Sequence, residues 1–241
     1  MVLPPLQRYW PGATGFALVL AAAAHGYDAG PVADGGTLSG VVRFIGTAPP
    51  RAALPVNKDL AVCGATPKLS TDLVVGPDGG VQWAVLSLRG VTHGKPFATG
   101  APVLDQKGCE YAPHVVLVPV GAELEIRNSD GILHNVRTAS TRNAPVNRAQ
   151  PKVRKAMPQR FAEPERVEVR CDVHPWMRGW VVVQDHPYYA VSDAQGGFSL
   201  TGVPPGDYEL HLWHETLGEH VQPVTISGGA DIFLPIALPP K

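Results

Sequence analysis

Cys171, His174 and Met177 fall within one seven-residue run, Cys171-Asp-Val-His-Pro-Trp-Met177. A thiolate, an imidazole and a thioether are all electron-pair donors, and the two sulfurs are soft. Arg166–Cys171 just before them alternates polar and apolar residues, so Val167, Val169 and Cys171 share one face of an extended strand. Cys171 thus ends a strand facing a core, and the next loop can fold back over the same point. A soft thiolate, imidazole and a weak axial thioether make up a type 1 copper ligand set, whose trigonal plane needs a second His. Zinc sites draw instead on thiolates, imidazoles and carboxylates. His134 can supply the missing imidazole: it follows the alternating segment Ala122–Asn128 by the short loop Ser129–Leu133. The stretch between His134 and Cys171 is long enough for a loop and one returning strand. Taken singly, each of these residues reads as an ordinary core group, and Cys171 as a buried free thiol. Four donors together point to a metal.

Other residues compete for the same chemistry. Met157 is the only other internal methionine and a rival axial donor. Cys63 and Cys109 remain over, and in an exported chain an even remainder suggests a disulfide. The alternative is a second metal site of Cys109 and His114. His211 and His214 are three apart on a strand and point to opposite faces, which disfavours chelation. Residues 142–160 carry six basic side chains, and no acid occurs between Gly131 and Ala162. That run reads as a loop, either simply solvated or steering an acidic redox partner. No Ser–His–Asp set, phosphate loop or carboxylate pair is present, and no substrate pocket is evident.

The elements that must position these donors are strands. Pro (25) and Gly (26) punctuate apolar runs of four to eight residues, and no long stretch has a 3.6-residue period. This is the signature of an all-β chain. The expected strands are 38–45, 73–75, 81–88, 115–120, 122–128, 166–171, 181–183, 198–200, 208–214 and 232–238, with a tight turn at Val203-Pro-Pro-Gly-Asp207. A formal net charge of −1 with 17% charged residues argues against nucleic-acid binding. Arg8, the apolar run Gly15–Ala24 and the small residues Ala22–Ala24 read as a signal peptide over 1–24, followed by a leader over 25–36. A retained anchor is the other reading of that segment. Periplasmic or secreted localisation follows.

At Val169–Val183 the chain resembles the ligand loop of the amicyanin-like cupredoxins, and Tyr111–Val115, Val120-Gly121, Leu124–Asn128 and His134–Val136 are similar to the upstream half of that family. The resemblance spans about residues 105–186. It implies a Greek-key β-sandwich with one type 1 copper held by His134, Cys171, His174 and Met177. It further implies that Asn135 ties the two ligand loops together, and that the His174 ring edge reaches the surface as an electron port. Pro175 and Trp176 would then line a patch for a redox partner protein; ordinary loop packing is the other role for Trp176. Val191–His211 resembles the second half of a carboxypeptidase regulatory-like sandwich, and residues 36–44 and 80–88 its opening strands. The expected organisation is therefore an N-terminal β segment at 37–104, a copper domain at 105–186 and a second β segment at 187–241. The copper domain is either inserted between two halves of one sandwich or set between consecutive modules. The implied function is single-electron transfer without enzymatic turnover. The alternatives are copper binding and delivery, or a non-catalytic accessory role in an amine-oxidising system of the methylamine-utilisation type.

Overall fold

The structure, a computed structural model, describes residue 1 and residues 26–241. The signal-peptide expectation therefore falls, beyond Met1, outside the described residues. Among the described residues the regular structure is nearly all β. Its longer strands begin with β1 (Gly36–Phe44), β2 (Val85–Arg89), β3 (Val103–Gln106), β4 (Val115–Pro119) and β5 (Glu123–Asn128). They continue with β6 (His134–Ala139), β7 (Asn147–Gln150), β8 (Ala156–Arg160), β9 (Glu165–Arg170) and β10 (Arg178–Gln184). The last are β11 (Tyr189–Val191), β12 (Gly197–Val203), β13 (Gly206–His214), β14 (Gly218–Ile226) and β15 (Asp231–Leu238). One four-residue helix, α1 (Leu60–Cys63), lies between β1 and β2.

Four sheets stack in two sandwiches. The sheet ordered β7-β6-β9-β10-β4 faces a sheet of β8, β5, β3 and the short strand Tyr111–Ala112. Leu104, Leu124 and Ile126 pack there with Val136, Val167, Val169 and Val181. The second sandwich sets β11-β2-β13-β14 against β12-β1-β15, around Leu38, Val42, Leu86, Leu88, Leu210 and Leu212. Its strands come from both ends of the chain: β1 pairs with β12 at Gly40↔Phe198, and β2 with β13 at Leu88↔Leu210. The first sandwich, β3 to β10, occupies the sequence between them.

Alternation along β10 explains how the sandwiches join. Val181 and Val183 point into the first core, while Trp180 and Val182 point outward onto Val85, Tyr189, Val191 and Trp213 of the second. A strand buried on both faces reads as a continuous apolar run, and so Val181–Val183 and Val115–Val118 do. The Trp180 and Trp213 rings meet edge to face at 4.8 Å. Beside them Glu215 accepts hydrogen bonds from Trp180 Nε1 (2.9 Å) and His114 Nε2, and His114 Nδ1 lies 3.1 Å from Thr71 Oγ1. That buried network holds the two sandwiches in one orientation.

Three local expectations are corrected. Residues 142–160 contain β7 and β8 rather than a loop, because Met157 pairs with Ile126 and is buried, and so is Gln150 opposite His134. Their Pro and Arg content disguised them; both are edge strands, where proline is tolerated. Residues 73–75 form only an isolated bridge, Val75↔Val81. The strand expected from Val81 begins at Val85, since Trp83 turns the chain at φ 69° and Ser192 Oγ splices the break. That hydroxyl accepts from Ala84 N (2.9 Å) and donates to Val81 O (2.7 Å).

Glu165, at the head of β9, closes the loop before β7. Its carboxylate accepts from the backbone N–H of Thr141 (2.5 Å), Arg142 (3.1 Å) and Asn143 (3.1 Å). Partial burial opposes its ionisation, but the backbone amides of Thr141 and Arg142 and the side chains of Asn143 and Thr141 outweigh burial and pull its pKa from 4.5 down to about 2. With the folded pKa below the unfolded one, its stabilisation is complete above pH 4.5 and is lost as pH falls towards 2. We expect Glu165→Gln to cost about 1 kcal/mol at pH 7 after solvent screening, and much less near pH 2. Urea denaturation across that range measures the difference.

Candidate metal centre

The four predicted donors lie at one end of the first sandwich. His134 is the first residue of β6, and its loop is held from both sides. Asn128 Nδ2 donates to Ile132 O (2.8 Å) and Gln150 O (3.0 Å), and Ser129 N donates to Gln106 O (3.0 Å). Cys171 follows β9 directly and faces the core. The loop after it closes in one turn, with Met177 N donating to His174 O (2.9 Å) and Cys171 N to Met177 O (3.3 Å). Cys171 and Met177 are buried in the same apolar cluster as Val136 and Val169, and His134 and His174 are both 0% exposed.

Ligand atoms converge. His134 Nδ1 lies 2.9 Å from His174 Nδ1, and Cys171 Sγ lies 3.8 Å from His174 Nδ1. Asn135 N points at Cys171 Sγ from 3.5 Å. The side chain of Asn135 bridges the two ligand loops: Oδ1 accepts from Asp172 N, and Nδ2 donates to Asn147 Oδ1 (2.7 Å) and Asp172 Oδ2 (3.3 Å). Met157 lies opposite Ile126 on the β5–β8 pair, within the core.

Each imidazole is held from behind by a carboxylate. His134 Nε2 bonds Asp130 Oδ2, and His174 Nε2 bonds Asp59 Oδ2, both at 2.9 Å. A carboxylate on Nε2 selects the tautomer that protonates this nitrogen and leaves the Nδ1 lone pair for the interior. Asp130 is itself fixed by the backbone N–H of Gly108 (2.5 Å) and Cys109 (2.7 Å), two consecutive residues with φ of 63° and 55° that form an anion nest. Electrostatics follow the contacts. Burial disfavours charge on His134, yet its bonds to Asp130 and Cys171 outweigh burial and push its pKa up to about 9. Burial also raises the Cys171 thiol, but contacts with His134 and backbone amides reverse this and lower it. Burial lowers the pKa of His174, with Asp59 opposing and His134 reinforcing the shift.

The donor set fits copper: one thiolate and two imidazole nitrogens come together in a buried pocket, with a thioether in the same loop. Cys109 Sγ also lies near Asp130 and His134, but it is bonded to Cys63. The pairing has a Cα–Cα distance of 5.3 Å. The alternative of a Cys109–His114 metal site is thereby overturned, and His114 serves the network around Glu215. His211 and His214 lie apart from the centre; only His214 is buried.

The surface expectation for His174 is corrected. Its edge does not reach solvent, because Asp59 and the segment leading into α1 lie over it. The half-buried Trp176 ring packs against His174 with centroids 5.1 Å apart and planes tilted by 54°, and donates from Nε1 to Cys109 O (3.2 Å). Sequence reasoning missed both carboxylates. Asp130 stands four residues before His134, a spacing that offered a hint; Asp59 is 115 positions from His174 and gave none.

No family model matches the chain, and no curated protein matches it. Among solved structures it is similar to an oxidised mutant of amicyanin at 30% identity, over 36% of this chain and 85% of that one, with a TM-score of 0.33. Another amicyanin mutant, in its Cu(I) form, is 26% identical over 41% of this chain and 98% of that one, with a TM-score of 0.33. A copper-containing nitrite reductase from Thermus scotoductus SA-01 is 22% identical over 38% of this chain, with a TM-score of 0.31. The chain spans 24% of the length of that reductase. These structural neighbours are cupredoxins.

Asn135→Ala removes the side-chain bridge and leaves Asp172 N without its acceptor. We expect a loss of about 1–3 kcal/mol in denaturant unfolding of the metal-free protein.

Proposed function

We propose that the protein is an exported type 1 copper protein that passes single electrons between redox partners. The observation that carries this reading is the convergence of His134 Nδ1, His174 Nδ1 and Cys171 Sγ within 4.8 Å of one another in a fully buried site. His134, Cys171, His174 and Met177 would hold the ion. Bound there, copper would supply a one-electron couple tuned by its ligands and by hydrogen bonds to the cysteine sulfur. Asn135 N supplies such a bond to Cys171 Sγ, and the β-sheets on either side keep the donors in place through a change of charge. A site closed by four side chains leaves no position for a substrate, which favours a carrier over an enzyme. Nor does the bridged, buried pocket suit a delivery protein, which must surrender its ion readily.

Two further features fit this reading. The Cys63–Cys109 disulfide suits a periplasmic or secreted protein, since such bonds persist in oxidising compartments. The second sandwich, with the carboxypeptidase regulatory-like pattern of residues 191–211, would act as a scaffold rather than a peptidase. The test is to titrate purified protein with copper(II) and record the visible spectrum. An intense thiolate-to-copper charge-transfer band, absent in Cys171→Ser, is the expected result. Stoichiometric binding without colour overturns the proposal.

A further inference from the structure

The segment between β1 and β2 belongs by connectivity to the second sandwich, yet part of it lies on the metal centre of the first. Val56 and Val62 pack against the apolar cluster that contains Cys171 and Met177. Cys63, at the end of α1, is covalently joined to Cys109. Cys109 N donates to Asp130, which holds His134, and Cys109 O accepts from Trp176, whose ring packs against His174. A single cross-link thus anchors the segment among the groups that surround both imidazoles.

Asp59 is the part of this segment that touches a predicted ligand. As the residue before α1 it stands where an aspartate ordinarily caps the first helical amides with its side chain. It makes no such bond. Its backbone is left-handed, φ 48° and ψ 46°, a conformation that L-residues other than Asn and Asp seldom adopt. The carboxylate is turned instead onto His174 Nε2 at 2.9 Å. Its own side chain is 38% exposed while the His174 ring behind it is 0% exposed, so it stands between the imidazole and solvent.

We propose that Asp59 is a positioning residue for His174: a strap of residues 56–63, pinned by the Cys63–Cys109 disulfide, delivers it to seal the imidazole edge and to direct Nδ1 at the metal. The proposal rests on the reading of His174 as a copper ligand. Asp130 does the same for His134 from within the first sandwich, so the two imidazoles are oriented by one device from two different sources. A redox partner approaching this end of the molecule therefore meets the strap, not a bare ring.

The test begins on the metal-free full chain, where it does not depend on copper chemistry. Diethyl pyrocarbonate acylates accessible imidazoles, and peptide mass spectrometry reads each His separately, with exposed His93 as the internal reference. In the unsubstituted protein His174 should be protected. Asp59→Ala should bring its reactivity towards that of His93, whereas Asp59→Asn, whose Oδ1 can still accept from Nε2, should keep it protected. The Cys63→Ser/Cys109→Ser double variant, where circular dichroism shows it folded, should expose His174 as Asp59→Ala does. In copper-loaded protein Asp59→Ala should shift the reduction potential and weaken copper(II) affinity about 10–100-fold, the effect typical of removing an outer-shell partner. A His174 as protected in Asp59→Ala as in the unsubstituted protein overturns the inference, and so does an unchanged potential. Failure of the unsubstituted protein to bind copper would instead strike the functional proposal, leaving the protection result to stand by itself.

Discussion

The candidate metal centre depends on directing two imidazole lone pairs and one thiolate at a single buried point. An imidazole has two nitrogens and rotates about its bond to Cβ, so it faces inward reliably only if its far nitrogen is held. Here both far nitrogens are held by carboxylates at 2.9 Å, Asp130 behind His134 and Asp59 behind His174. The near nitrogens consequently meet each other and the Cys171 sulfur. Charge follows from the same contacts: the carboxylate and thiolate beside His134 favour its protonated form in the absence of metal, and the imidazole beside Cys171 favours the thiolate. The pocket compensates its own burial.

Those carboxylates require support of their own. Asp130 is seated in two backbone amides whose left-handed conformation places both N–H groups on one side. Asp59 is carried on a segment with almost no regular structure, and its position comes from α1, from the disulfide and from contacts of Val56 and Val62 with the core. Behind the ligand loops, β9 and β10 pair through the full register Glu165↔Val183 to Arg170↔Arg178. β10 is clamped on its other face by the second sandwich. Burial on both sides leaves this strand little freedom to shift, and it is the strand onto which the Cys171–Met177 loop returns. A rigid frame of this kind suits a centre that must keep one geometry.

Much of this was legible in the sequence. The candidate donor types and their order were visible in Cys171–Met177 and at His134, and alternation in 122–128 and 166–171 placed the correct residues inward, because a pleated strand enforces a period of two whatever it packs against. The all-β class followed from the same regularity. Strand pairing across the chain could be suspected for residues 36–44 and 197–203, since each carries a recognisable pattern. The edge strands β7 and β8 were hidden, because a strand with one neighbour and a solvated face tolerates proline and arginine.

Sequence alone determined which side chains could bind a metal and which faces of their strands turn inward, since both are matters of residue chemistry and local periodicity. Tertiary structure alone decided that the His174 edge is covered and that Asp59 covers it, and it bears out the Cys63–Cys109 disulfide that the even cysteine remainder suggested. Contacts between residues more than a hundred positions apart leave no periodic trace. They arise only when β1 and β2 pair with the C-terminal strands and carry the intervening segment across the mouth of the centre.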